Sequence, residues 1–95
     1  MRLSVNQQQN ILQTLYQNFG AATKVWLFGS RVDDSRRGGD VDLYVETNNV
    51  SNLLAKLRCK MALEELLDLS VDLIVSDPSK DDPIYTIAKK TGVQL

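Results

Sequence analysis

The sequence predicts a small α/β domain, and three observations carry that prediction. Apolar residues recur at helical spacing in three stretches, at about residues 4–19, 50–67 and 83–91. Short apolar or alternating runs lie between them: Val25-Trp26-Leu27-Phe28, Val41 to Val45 and Val71 to Val75. The last two nearly repeat, Val-Asp-Leu-Tyr-Val against Val-Asp-Leu-Ile-Val. Helix, strand, short helical turn, strand, helix, strand, helix is the resulting order.

Composition bounds the function. The 95 residues suit one domain, 1–95. A hydrophobic content of 43% and a charged content of 24% are ordinary for a globular chain. Its core is thin, so a homo-oligomer or a partner would add stability. The net charge of −1 gives no general attraction to nucleic acid or to an anionic membrane. One Cys excludes an internal disulfide and suits a reducing cytoplasm. With no His, a conventional zinc site is not expected. No apolar run approaches the roughly 20 residues that cross a bilayer. The N-terminus lacks a signal peptide's apolar core.

Each element has its own signal. Ser4 is the expected N-cap of the first helix, with Ile11, Leu12, Leu15, Tyr16 and Phe19 on one side and Gly20 at the end. Residues 24–28 are apolar on both faces, which predicts a central buried strand. The alternative reading presents Trp26 to a partner. Gly29-Ser30 ends this strand, and 31–34 form a short helical turn before a loop at 35–39. Residues 40–46 form the second strand, and Asn48-Asn49 a turn. The helix at 50–67 is expected to bury Val50, Leu53, Leu54, Leu57 and Met61, extended by Leu63, Leu66 and Leu67, with Glu64 and Glu65 solvated. Cys59 reads as a small packed hydrophobe, not a nucleophile, since no His can activate it. A third strand covers 70–75. A polar loop, 76–82, precedes the last helix, which Asp82 and Pro83 open. Ile84, Ile87 and Ala88 give it an apolar side, Gly92 ends it, and 93–95 offer a short edge strand.

The chemistry concentrates in residues 29–45, GSRVDDSRRGGDVDLYV. Asp40 and Asp42 stand at i and i+2 of a strand, so both carboxylates share a face, roughly 7 Å apart along the backbone. Like charges so placed repel unless a cation lies between them. Mg²⁺ favours one or two carboxylates together with water and phosphate oxygens. Asp72 occupies the same place in its pentapeptide as Asp42 and joins them if the two strands are neighbours. Three acids on one sheet face are hard to explain structurally without a cation. Gly29 permits a tight turn after a strand, and a helix beginning at Ser30 would offer N–H groups to phosphate. Arg31, Arg36 and Arg37 can add positive charge. Asp33 and Asp34 fit capping better than metal binding. Taken singly, an Asp-x-Asp or a Gly-Ser turn is commonplace; the combination is specific. The chain carries no Gly-Lys-Ser or Gly-Lys-Thr of a Walker-type loop.

On these residues the chain resembles the minimal nucleotidyltransferase family of the DNA polymerase beta superfamily. The family's mark is Gly-Ser, a spacer, Asp-x-Asp, and a later Asp on a strand. Here Gly29-Ser30 precedes a nine-residue spacer, Asp40-Val41-Asp42 and Asp72. The spacer is slightly short, and Gly39 stands where many members have Ser. The resemblance implies a polymerase beta-like palm: a short mixed sheet with helices on one face and the active site on the other. It implies transfer of a nucleoside monophosphate from a triphosphate to a hydroxyl. Asp40, Asp42 and Asp72 would be the catalytic acids and the ligands of two Mg²⁺ ions. Gly29, Ser30, Arg31 and Arg37 would hold the phosphates of ATP. Members this short are often encoded beside a HEPN-type toxin, to which they attach AMP as antitoxins. That is the leading expectation, with a tyrosine of the toxin as acceptor. A contact-only antitoxin and transfer to a small molecule are the alternatives.

Overall fold

The structure is a computed structural model, and it describes residues 3–29, 40–47, 53–77 and 79–95. Helix α1 (Val5–Phe19) leads into β1 (Lys24–Phe28) and β2 (Val41–Glu46). Then follow α2 (Leu53–Leu67), β3 (Val71–Val75), α3 (Pro83–Thr91) and β4 (Val93–Gln94). The strands form one sheet in the order β3-β2-β1-β4. β1 is antiparallel to both β2 and β4, whereas β2 and β3 are parallel and joined through α2. A mixed sheet is the consequence, because a parallel pair needs a long crossover and α2 supplies it.

Local chemistry explains the helix ends. Ser4 and Gln7 form a reciprocal capping box: the Gln7 N–H donates to Ser4 Oγ at 3.1 Å, and the Ser4 N–H to Gln7 Oε1 at 2.8 Å. Asp82 caps α3 by accepting from the Ile84 N–H at 3.1 Å, with Pro83 in the first turn. Beyond α3, Gly92 lies so close to β1 that a side chain would meet the Leu27 carbonyl and Phe28.

Strand alternation divides the side chains between two faces. Val25, Leu27, Val41, Leu43, Val45, Val71, Leu73 and Val75 pack with Ile11, Leu15 and Phe19 of α1 and with Cys59, Leu63 and Leu67 of α2. The opposite face carries Trp26, Phe28, Asp42, Tyr44, Asp72 and Ile74. Here one detail departs from expectation. Two helices cover one face, as the palm implies, but α3 packs on the other. Ala88 is fully buried there against Trp26 and Tyr44, with Tyr85 alongside. Trp26 is therefore a core residue and presents no surface to a partner.

The side that α2 buries also differs from expectation. Leu53, Leu54, Leu57 and Met61 are 70%, 55%, 46% and 69% exposed, and Leu66 is exposed too. Cys59, Leu63 and Leu67 face the core instead, at i, i+4 and i+8. Both sets match helical spacing, so periodicity alone does not choose between them. Tertiary contact chooses: with this side inward, Glu64 accepts a bond from the Val71 N–H at 3.0 Å and pairs with Lys60 at 3.2 Å. Glu64 thus anchors the start of β3 instead of being merely solvated. In α3, Ile87 is half exposed, and Tyr85 takes the packing place expected of it. Val50, the Asn48-Asn49 turn, the short helical turn at 31–34 and the loop at 35–39 lie outside the described residues.

Candidate active site

The acids come together through strand register. Asp42 of β2 is the parallel partner of Asp72 of β3 and the antiparallel partner of Phe28 of β1. Adjacent strands are about 4.8 Å apart, so the two carboxylates are direct neighbours on one face. Asp40 sits just before β2 and is exposed, as is Asp72; Asp42 is half-buried. Burial, then the charges of Asp72 and Asp40, hold the Asp42 carboxyl above its usual range. The three acids thus sense one another. Among the described residues, no three acidic, thiol or imidazole groups converge into a closed ligand cage. The site is an open row of carboxylates.

Gly29 closes the row on the β1 side. Its φ is +77°, a conformation that strains any L side chain. A Cβ at this position would also run into the Asp42 carboxylate. Two independent constraints therefore require glycine, and they press the turn after β1 against the central acid. The sequence indicates the turn; contact with Asp42 follows only from the β1–β2 register. Ser30, Arg31, Arg36 and Arg37, together with Asp33 and Asp34, lie outside the described residues.

A neighbouring cleft was not evident in the sequence. It holds about 350 Å³ beyond Asp42 on the same face, between the ends of β2 and β3 and helix α3. Tyr44, Glu46, Ser76, Lys80, Tyr85 and Lys89 contribute to its walls. The Tyr44 hydroxyl donates to Glu46 at 3.3 Å, and Lys89 pairs with Glu46 at 3.0 Å. The Lys89 ammonium also lies 5.4 Å from the centre of the Trp26 ring, close enough for a cation–π contact. Tyr44 stacks on Tyr85 with ring centres 5.3 Å apart. Burial and the nearby Glu46 charge push the Tyr44 phenol up to about 12. Its residues come from a loop and a helix whose relation to β2 no local pattern reveals.

A sheet of this order, with an acid row at its centre and a glycine turn against it, is a nucleotidyltransferase palm. The comparisons agree. A model of the family described as "Polymerase beta, Nucleotidyltransferase" matches residues 9–95, and the chain belongs to that family. No curated protein matches it. Among solved structures, it resembles a chain of the complex between a tri-AMPylated Shewanella oneidensis HEPN toxin and an MNT antitoxin. That match has a TM-score of 0.72 at 21% identity over 94% of this chain and 68% of the other. A chain of a toxin–antitoxin structure with AMP-PNP gives 0.75 at 22%, over 95% and 72%. One from the MntA–HepT toxin–antitoxin gives 0.73 at 20%, over 96% and 70%. Among the described residues, no helix is long and apolar enough to cross a membrane.

Proposed function

We propose that this chain is an antitoxin that transfers AMP from ATP to a hydroxyl of a HEPN-type toxin, most directly a tyrosine. One observation carries the reading: Asp42 and Asp72 are in register beside Asp40, with the Gly29 turn pressed against Asp42. The tri-AMPylated toxin and the AMP-PNP complex among the structural neighbours support the choice of donor and partner.

Phosphoryl transfer of this kind depends on positioning and charge neutralisation. The open acid row suits Mg²⁺, which keeps water and phosphate oxygens in its shell. Two such ions on Asp40, Asp42 and Asp72 would neutralise the triphosphate and lower the pKa of the attacking hydroxyl. The remaining work belongs to the chain. Gly29 and Ser30, with Arg31 or Arg37, hold the β- and γ-phosphates. Asp72, exposed at the β3 end of the row, accepts the proton of the incoming hydroxyl. The hydroxyl oxygen bonds to the α-phosphorus, the bond to the β-phosphate oxygen breaks, and pyrophosphate leaves. α3 shields the far end of the face, so the acceptor reaches the acids from the open end where Asp40 and Asp72 lie.

The test is intact-mass measurement of the HEPN-type protein encoded beside this chain, after incubation with the chain, ATP and Mg²⁺. One or more adenylyl additions are expected, and Asp40→Asn or Asp42→Asn should abolish them. A partner that stays unmodified, yet is still silenced by the double Asn variant, would establish neutralisation by contact alone.

A further inference from the structure

The strand that carries Asp72 is pushed away from the row it serves. Asp72 and Asp42 are direct partners in the parallel β2–β3 pairing, and like charges placed opposite each other destabilise a strand pair. The charge of Asp72 is among the causes that raise the Asp42 carboxyl, so this repulsion crosses the pairing. β2 is held between β1 and β3, whereas β3 is the edge of the sheet and has only β2 beside it. β3 is also short, and only Asp68, Leu69 and Ser70 connect it to α2, with Asp68 at a φ of +54°.

Two bonds grip the start of β3 from opposite sides. On the inner side the Val41 N–H donates to the Ser70 carbonyl at 2.9 Å. Backbone groups alternate in direction along a strand, so the N–H of the next residue, Val71, points away from β2 toward the open edge. There it donates to Glu64 Oε2 at 3.0 Å. The same oxygen accepts from the Lys60 ammonium at 3.2 Å, one turn earlier on α2. The Val71 N–H first, and then the Lys60 bond, hold the Glu64 carboxyl below its usual range, which keeps it charged and accepting at neutral pH. Val71 packs in the core and Asp72 lies on the opposite face, so Glu64 acts on the acid row through the backbone of β3.

We propose that Glu64 is a positioning residue for nucleotidyl transfer: it grips the outer edge of β3 at Val71 and so keeps the Asp72 carboxylate in register with Asp42. This role presupposes that the acid row is the transfer site. Without the grip, the edge strand yields to the repulsion between the two acids, and Asp72 leaves the place from which it takes the acceptor's proton. The triphosphate is held on the other side of the row, at the Gly29 turn against Asp42. The loss therefore falls on the chemical step and not on the binding of ATP.

The experiment measures adenylyl transfer to the HEPN-type protein encoded beside this chain, with Mg²⁺ and varied ATP, for the full chain and three variants. Glu64→Ala removes the acceptor of the Val71 N–H, Glu64→Gln keeps an oxygen for it, and Asp72→Asn removes the acid that Glu64 serves. Glu64 is partly exposed on a helix, and Ala and Gln are both good helix formers, so α2 is retained. Rates are read well below the Tm of each variant, where a change in global stability has no effect on them. Glu64→Ala should lower kcat by roughly tenfold to a hundredfold, the loss that follows from a misplacement of about 1 Å. Its KM for ATP should stay near the wild-type value. Glu64→Gln should recover most of kcat. Hydrogen exchange at the Val71 amide should be fast in Glu64→Ala and slow again in Glu64→Gln. A Glu64→Ala variant with wild-type kcat would overturn the proposal. So would a Glu64→Gln variant as slow as Glu64→Ala, or a rise in KM in place of the fall in kcat. A wild-type chain that transfers nothing, or an Asp72→Asn variant as fast as wild type, is a different failure: it overturns the reading of the acid row, and the role of Glu64 with it.

Discussion

Tyr44 shows how one side chain ties the acid face to the stability of the sheet. Its ring is sandwiched between Trp26, with centres 5.6 Å apart, and Tyr85 at 5.3 Å, and its hydroxyl donates to Glu46. The phenol is raised to about 12 by burial first and then by the Glu46 charge. An unfolded tyrosine titrates near 10. The folded state therefore holds this proton more tightly than the unfolded state. Its contribution is fully present below about pH 10 and is lost as the pH rises through about 12. Thermal melting between these values should show a steep fall in Tm. Tyr44→Phe, which keeps the ring stack and deletes the ionisable group, should make that fall shallower. An identical slope in the two proteins would mean that the lysines alone account for it. Cys59 follows the same logic: burial lifts its thiol to about 11, in keeping with a packed hydrophobe.

At the scale of elements, α2 is the informative case, because its two apolar sides have opposite roles. Leu63 is fully buried between α1 and the sheet, whereas Leu57 is nearly half exposed. Leu63→Ala should cost about 2–5 kcal/mol, the range for opening a core cavity. Leu57→Ala should cost within about 0.5 kcal/mol, because this side chain is nearly half exposed. Urea unfolding of the two variants at low concentration reads the difference directly. Equal losses would place the core on the side that periodicity first indicates. This pair also marks what a sequence can and cannot disclose. β2 and β3 were legible because a period of two allows only two faces, and Val41, Leu43 and Val45 claim one of them. Asp42 and Asp72 were left together on the other. A helix with apolar residues nearly all round allows several inward sides, and the choice rested on contacts such as Glu64 to Val71, seven residues away. α3 was illegible for a related reason. Its packing against Trp26 depends on the small Ala88 and the flat Tyr85, not on its largest aliphatic side chains. Gly29 was legible as a turn, but its contact with Asp42 depends on register between strands with twelve residues between them, from Phe28 to Val41 at their nearest ends.

At the scale of the molecule, the sheet separates a packed face from a charged one, and the charged face holds its acids at a cost. Burial and then the charges of Asp72 and Asp40 raise the Asp42 carboxyl, so a negative charge is disfavoured at the centre of the row. ATP alone brings further negative charge to this row and should bind weakly. Mg²⁺ alone meets an open row of acids that does not enclose it and should also bind weakly. Together each completes the other's coordination. The expected result is a thermal shift with ATP and Mg²⁺ that exceeds the sum of the separate shifts. A ligand present at 100 times its Kd stabilises by about 2.7 kcal/mol. For a domain of this size that amounts to a rise in Tm on the order of 10 °C. Asp42→Asn should remove the synergy. It should also raise the Tm of the metal-free protein, because it deletes the repelled charge and preserves the shape. The two changes have opposite signs, so a merely damaged fold could not produce both. Additive shifts in the wild type, or an Asp42→Asn protein that melts lower than wild type without metal, would show that the row is not built around a cation.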